Sequence, residues 1–285
     1  FNYHYFQKQY ENDIIKNNDE EKTKQLKKLV TPFILRRNKK EVLTELPDKI
    51  EQNIILPFND EEEKLYVANL AEANKELQEL YDLEGSDKMQ ILKLLTRLRQ
   101  LCLEPRLVYD DIDQPSSKLK ACMELIKTMQ ENKQKVLLFS SFTSVLDLIA
   151  EECQKAGITY YMLTGSTNKE DRRELVSRFQ KDDTTVFLIS LKAGGTGLNL
   201  TSAEAVIHFD PWWNVSAQNQ ATDRAYRIGQ KNNVQVFNLV MKDSVEEKII
   251  ELQKRKKELA DMFVENNSGG LSQMSKEDIL SLFTM

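Results

Sequence analysis

Histidine, cysteine and long apolar runs are scarce in this 285-residue sequence, and each shortage closes off a class of function. The two histidines, His4 and His208, and the three cysteines, Cys102, Cys122 and Cys153, are scattered and form no Cys-x-x-Cys pair. That spacing speaks against a metal centre or a disulfide framework and fits a reducing, intracellular compartment. The longest apolar stretches, such as Val186–Leu191, fall well short of the roughly 18 residues that a membrane span needs. Residues Phe1–Tyr10 are aromatic and polar, not basic and then apolar, so no secretory leader is expected, and the opening reads as the middle of a longer protein. No glycine is followed by lysine, and no Asp-Glu-x-His or Asp-Glu-x-Asp string occurs. The loop that grips β- and γ-phosphates and the acidic pair that holds magnesium are therefore both missing.

What is present is a chain with 40% hydrophobic and 30% charged residues, the balance of a soluble, helix-rich globular protein of one medium domain with appendages or two small ones. Its formal charge of -5, from 45 acidic and 40 basic residues, argues against a surface coated in positive charge. Local basic clusters at Lys24/Lys27/Lys28, Arg36/Arg37/Lys39/Lys40 and Lys254–Lys257 leave room for a positive strip, or are solvated helix faces.

Helical spacing in the first stretch stops at Leu46-Pro47-Asp48. Ile54, Leu56 and Phe58 alternate as a short extended segment, a helix opens at Asn59/Asp60, and a second helical block runs to Leu103 before Pro105. From Ser116 the rhythm changes. Ser116 or Ser117 caps a helix with Leu119, Cys122, Met123, Ile126 and Met129 inward. Strands at Val136–Phe139, Tyr160–Leu163, Val186–Leu191, Ala205–Phe209 and Val234–Val240 then alternate with helices. Those helices include one with Val145, Leu148, Ile149 and Cys153 inward, one at Lys169–Gln180 and one at Val215–Tyr226. This order predicts an α/β fold with a parallel sheet flanked by helices, whose ligands meet the loops at the carboxyl ends of the strands. An amphipathic helix from Ser244 and a short helix at Lys276–Phe283 close the chain.

Four segments carry candidate chemistry. In Gln220-Ala221-Thr222-Asp223-Arg224-Ala225-Tyr226-Arg227-Ile228-Gly229-Gln230, Arg224 and Arg227 stand three apart on the expected last turns of a helix, which puts both on one face. Planar, permanently charged guanidinium groups can take two phosphate oxygens at once and stabilise charge on a transferring phosphoryl group; alternatively they pair with neighbours such as Asp223. Ser190–Leu200 is a glycine-rich loop after an apolar strand, where Gly194, Gly195 and Gly197 let backbone amides approach a phosphate or simply make a tight turn. Asp210-Pro211-Trp212-Trp213-Asn214 follows a strand; one tryptophan suits the core and the other suits a sugar-phosphate strand. Finally, the hydroxyl-bearing residues Ser140, Thr143, Ser166 and Thr167 follow strands and serve either as turn formers or as phosphate ligands without base information.

The eleven-residue arginine string is similar to the last motif of SWI/SNF-type ATPases, a branch of the superfamily-two helicases. The resemblance extends over about Tyr5 to Phe283. It implies a RecA-like second lobe in which Arg224 and Arg227 reach across a cleft to ATP, with Gln220, Gly195, Gly197 and Asn199 beside the nucleotide. It also implies contacts to double-stranded DNA from Ser140, Thr143, Gly165, Ser166, Thr167, Arg172, Lys192, Trp213 and Asn214. Val215 stands where the family has a second proline, Thr164 where it has aspartate, Ser141 where it has glutamine, and Glu104-Pro105 where it often has His-Pro. The implied domains are 1–50, the end of a first lobe and a first protrusion; 51–115, a linker strand and a second protrusion; 116–243, the lobe; and 244–285, a brace helix and terminal helix. ATP and Mg2+ would be held mainly by a first lobe preceding Phe1. The chain alone is then expected to be inert as an ATPase, and the whole to be a monomeric motor, cytoplasmic if bacterial, as Lys, Asn and Ile usage suggests, and nuclear if eukaryotic. An RNA-polymerase-recycling ATPase and a non-catalytic interaction module are the alternatives.

Overall fold

The computed structural model describes residues 6, 9–10, 14, 19–30, 46–82, 88–194, 198–263 and 282–283. Two compact units divide the chain: Phe1–Glu45 with Lys254–Asn267, and Leu46–Gln253 with Ser268–Met285. In the first, helix α1 (Glu20–Val30) is capped by Asp19, whose Oδ1 accepts from the Glu21 and Lys22 amides at 2.9 and 3.0 Å. The expected terminal helix at 276–283 and the basic cluster at 36–40 lie outside the described residues, apart from 282–283.

The second unit is built on a six-stranded, all-parallel sheet in the order β1-β6-β5-β2-β4-β3. Its strands are β1 (Lys49–Leu56), β2 (Val136–Ser140), β3 (Tyr160–Leu163), β4 (Val186–Ser190), β5 (Ala205–His208) and β6 (Val234–Met241). β2, β4 and β5 are buried along their whole length, which is why they read as unbroken apolar runs rather than alternating ones. Successive residues face opposite sides of the sheet, and the core divides accordingly. Leu138, Leu188 and Ile207 belong to one cluster, with Leu119, Cys122 and Ile126 from helix α4 (Ser117–Glu131) and Val145, Leu146 and Ile149 from α5 (Thr143–Lys155). Leu137, Phe187 and Val206 belong to the other, with Phe179 from α6 (Lys169–Lys181) and Ala221 from α8 (Val215–Thr222).

Ser116 is the cap of α4, its hydroxyl accepting from the Leu119 amide at 3.0 Å. Leu146 and Ala150, not Leu148, complete the inward stripe of α5, because Leu148 lies at the edge of the buried face. Gly157, just past that helix, adopts φ +67°, a backbone conformation that a side chain disfavours. The extended segment read from Ile54 onward begins earlier, at Lys49, and is the edge strand of the sheet, paired to β6 from Lys49↔Val234 to Leu56↔Met241. Its mostly exposed residues hide it from a search for apolar runs.

Helices α2 (Asp60–Asp82) and α3 (Lys88–Leu103) pack together through Tyr66, Leu70, Ala73, Leu77, Ile91, Leu95 and Leu98, and share that cluster with Val245, Ile249 and Leu252 of α9 (Val245–Phe263). Between α4 and α9 lies an ion pair with both side chains at 0% exposure: Lys118 Nζ stands 2.6 Å from Glu246 Oε1. Glu246 also accepts from the Met241 amide, and Lys118 lies 5.3 Å from the Phe209 ring centroid. Among the described residues no helix is long and apolar enough to cross a membrane.

Candidate nucleotide and nucleic-acid site

Because every strand is parallel, the segments after β2, β3, β4 and β5 leave the same edge of the sheet. The chain places β3 and β4 on one side of β2 and then crosses to β5 on the other, so this edge contains the switch point at which open α/β sheets take ligands.

After β5 the chain reaches Asp210, which is fully buried. Asp210 Oδ1 accepts from the Ser140 hydroxyl at 2.7 Å and the Ser141 amide at 3.0 Å, and Oδ2 accepts from Arg99 Nη2 at 2.8 Å and from the Ser141 hydroxyl. Ser140 is thus a buried brace between the ends of β2 and β5, at 0% exposure, and not a surface ligand as expected from sequence. Thr143, two residues past Ser141, begins α5 and is exposed. Asn214 is likewise occupied locally: its Oδ1 accepts from the Ala217 amide at 3.2 Å and caps α8. Trp212 packs on the cluster beneath α8 and Trp213 on the helical cluster of α2 and α3, each leaving part of its surface open. The sequence left both roles open for these tryptophans, and both side chains are part core and part surface.

After β3, the turn at Thr164–Thr167 is held by its own hydroxyls. Thr167 Oγ1 accepts from the Thr164 amide at 3.1 Å, and the Thr164 and Ser166 hydroxyls lie 2.8 Å apart. Gly165 and Ser166 are exposed at its tip. Arg172, on the first turns of α6, reaches the Ala193 carbonyl at 3.4 Å, tying that turn to the segment after β4. There, α7 (Leu191–Gly194) is a single turn on which Lys192 is exposed and Ala193 is buried. Gly195 and Gly197 lie outside the described residues. Asn199 is exposed, and its carbonyl accepts from Gln180 Nε2 at 2.7 Å.

The two arginines correct an expectation. α8 ends at Thr222 instead of running to Tyr226, so Arg224 and Arg227 stand on a succession of tight turns just past the helix. Short-range bonds replace the helical ladder: the Arg224 amide donates to Ala221 and the Ala225 amide to Thr222, each at 3.1 Å. The cause is tertiary. The Leu200 amide takes the Arg224 carbonyl at 3.0 Å, and the Thr222 hydroxyl is shared between the Gln218 carbonyl and His208 Nε2 at 2.9 Å. Buried Gln230 fastens the turn from below, its Nε2 donating to the carbonyls of Ala203 at 2.8 Å and Ala225 at 3.3 Å. Ala225 and Tyr226 sink into the same core cluster as Leu198 and Leu200, while Arg224 is half-buried and Arg227 exposed. The end of the glycine-rich segment and the arginine turn are therefore one packed body.

Burial first, and then the nearby Arg227 guanidinium, hold Arg224 below the usual arginine range, against the pull of Asp223. Two cations share a neighbourhood here, and Arg227 forms no ion pair among the described residues. Gln220 is exposed on α8 just before them. Sequence reasoning missed Gln218, which sets the orientation of α8 by donating to Asn238 Oδ1 at 3.0 Å and accepting from the Trp212 amide at 3.3 Å. It also passed over Asp210 as a buried hub, although an acid directly after an apolar strand was a legible signal.

Comparison with known proteins agrees with this architecture. The SNF2-related domain matches residues 1–107, and the helicase conserved C-terminal domain matches residues 117–229. The chain is 37% identical over 277 residues to an uncharacterized ATP-dependent helicase of Mycoplasma pneumoniae, covering 97% of this chain and 26% of that protein. It is 35% identical to the putative ATP-dependent helicase/translocase YwqA of Bacillus subtilis, covering 98% of this chain and 31% of the other. The chain thus spans between a quarter and a third of the length of these relatives. Among solved structures, the Sulfolobus solfataricus SWI2/SNF2 ATPase core in complex with dsDNA superposes with a TM-score of 0.68 at 31% identity, over 99% of this chain and 60% of that one. The parallel sheet, the arginine turn and these matches together show that the chain belongs to the SNF2 family of helicase-like ATPases and contains the family's RecA-like C-terminal lobe.

Proposed function

We propose that the chain is the second motor lobe of an ATP-driven translocase on double-stranded DNA, supplying Arg224 and Arg227 to an ATP whose phosphates and Mg2+ are held by a first lobe elsewhere in the full-length protein. The observation that carries this reading is the arginine turn, with two neighbouring guanidiniums on a core-anchored support and Arg227 left exposed. Charge placed this way stabilises the transferring phosphoryl group only when a second body brings the nucleotide to it, so lobe closure completes the site and couples hydrolysis to movement. Gly195, Gly197, Asn199 and Gln220 are the further residues assigned to the nucleotide in this reading.

The duplex grip is assigned to Thr143, Gly165, Ser166, Lys192 and Trp213, with Arg172 holding the Lys192 segment. Hydroxyls, an amine and an aromatic edge suit sugar and phosphate, and they carry no base information. Ser140, Thr167 and Asn214 shape the loops that present these groups. In this reading α2 and α3 form a protrusion, α9 braces the lobe, and the protein acts as a monomer with the genome inside the cell. The presence of duplex DNA in the Sulfolobus structure supports the choice of partner.

A salt titration of duplex binding by the full-length protein tests this grip. A handful of phosphate contacts predicts a loss on the order of a hundredfold in affinity between about 50 and 200 mM salt, equal for unrelated sequences. An affinity that ignores salt, or that depends on one sequence, would contradict the assignment.

A further inference from the structure

Arg99, on α3, has no part in the reading above, yet its guanidinium lies at the carboxyl edge of the sheet. Nη2 donates to Asp210 Oδ2 at 2.8 Å, to Ser141 Oγ at 3.0 Å and to the Pro211 carbonyl at 3.3 Å. The central carbon stands 4.9 Å from the Phe142 ring centroid and 5.6 Å from those of Trp212 and Trp213. One planar cation, 111 residues before its carboxylate partner, therefore touches both the turn after β2 and the tryptophan loop after β5.

The chemistry of this contact is specific to arginine. A guanidinium can lie flat on aromatic faces while its edge bonds a carboxylate, which a lysine ammonium cannot match. Stability alone does not account for it. Arg99 Nε is buried without a hydrogen-bond partner among the described residues, a costly state for a donor, and apolar replacements of buried ion pairs are often neutral or stabilising.

We propose that Arg99 is a positioning residue that locks the Trp212–Trp213 loop and the Ser141–Thr143 turn into one preformed surface for the duplex backbone, so that the helical protrusion governs how tightly the lobe holds DNA. The proposal rests on the duplex-binding reading above. A surface ordered before DNA arrives spares the ordering cost on binding, so loosening it weakens affinity more than it slows turnover at saturating DNA.

Trp212 and Trp213 are the only tryptophans in the chain, so tryptophan emission reports on this cage alone. The experiment compares the chain with Arg99→Lys and Arg99→Gln by emission of the free protein and by titration with a short mixed-sequence duplex at low salt, with circular dichroism as the check on folding. Arg99→Gln is expected to shift the emission and weaken duplex binding about tenfold. Arg99→Lys, which keeps the charge but not the flat face, is expected to fall between, at about threefold. In the full-length protein, the duplex concentration for half-maximal ATP turnover should rise by more than the saturated rate falls. Should Arg99→Gln fail to fold, Arg99→Lys in a Trp213→Phe background decides, because its effect should be smaller there than in the parent once one of the three rings it faces has lost its indole. Folded variants with wild-type emission and duplex affinity within twofold of the parent would overturn the proposal, as would a full, additive effect in the Trp213→Phe background. If the unmodified protein binds no duplex, the reading of the site falls, and the proposal with it.

Discussion

His208 illustrates how single side chains set the behaviour of this lobe. It ends β5 in complete burial, stacked 5.7 Å from Phe139, with Nε2 on Thr222 and Nδ1 lacking a hydrogen-bond partner among the described residues. Burial drops the imidazole to about 4 from its ordinary 6.5, against the opposing pull of Glu51 and Asp210. Between those two values the unfolded chain binds a proton that the folded one refuses, so stability is fully present above pH 6.5 and declines as the pH falls toward 4. The loss amounts to about 3 kcal/mol. Urea denaturation across this window should show that slope, and His208→Asn should flatten it. A variant with the parent's slope would assign the acid sensitivity to other groups. Nothing in the sequence around His208 announced this role, because the residues that enclose it come from β2, β6 and α8.

Among the elements, the junction of α4 and α9 is fixed by charge as well as by packing. The Lys118–Glu246 pair is wholly enclosed, so removing one partner strands the other in a dry interior. Lys118→Met is expected to cost about 3–5 kcal/mol in chemical denaturation, while the paired Lys118→Met/Glu246→Leu change should recover most of that. A double variant as unstable as the single one would contradict this account. The same contrast between local and distant causes explains which elements were legible. β2, β4 and β5 announced themselves as apolar runs because helices cover both faces, and α4 by its stripe and its Ser116 cap. β1 was seen only from Ile54, because an edge strand with the sequence Lys-Ile-Glu-Gln-Asn carries little apolar signal. The end of α8 was misplaced by four residues, because the Leu200–Arg224 and His208–Thr222 bonds that stop it join segments far apart in sequence. Arg224 and Arg227 were singled out by their chemistry, their spacing and the resemblance of the string around them, whereas the partnership of Arg99 with Asp210 joins residues that no local pattern links.

At the scale of the whole molecule, the lobe carries two kinds of surface: hydroxyl, lysine and indole groups on the segments that follow the carboxyl ends of the strands, and a pair of arginines on the turn after α8. The arginine turn is packed against Leu198 and Leu200, at the end of the glycine-rich segment whose start bears Lys192. Under the proposed function, this packing joins the segment assigned to DNA to the segment assigned to the nucleotide. The sharpest test replaces Arg227 by alanine in the full-length protein and measures DNA-stimulated ATP turnover beside duplex affinity. The account predicts a fall in turnover of roughly 10³-fold or more, with duplex affinity unchanged; turnover at the parent's rate would show that Arg227 does not act on the nucleotide.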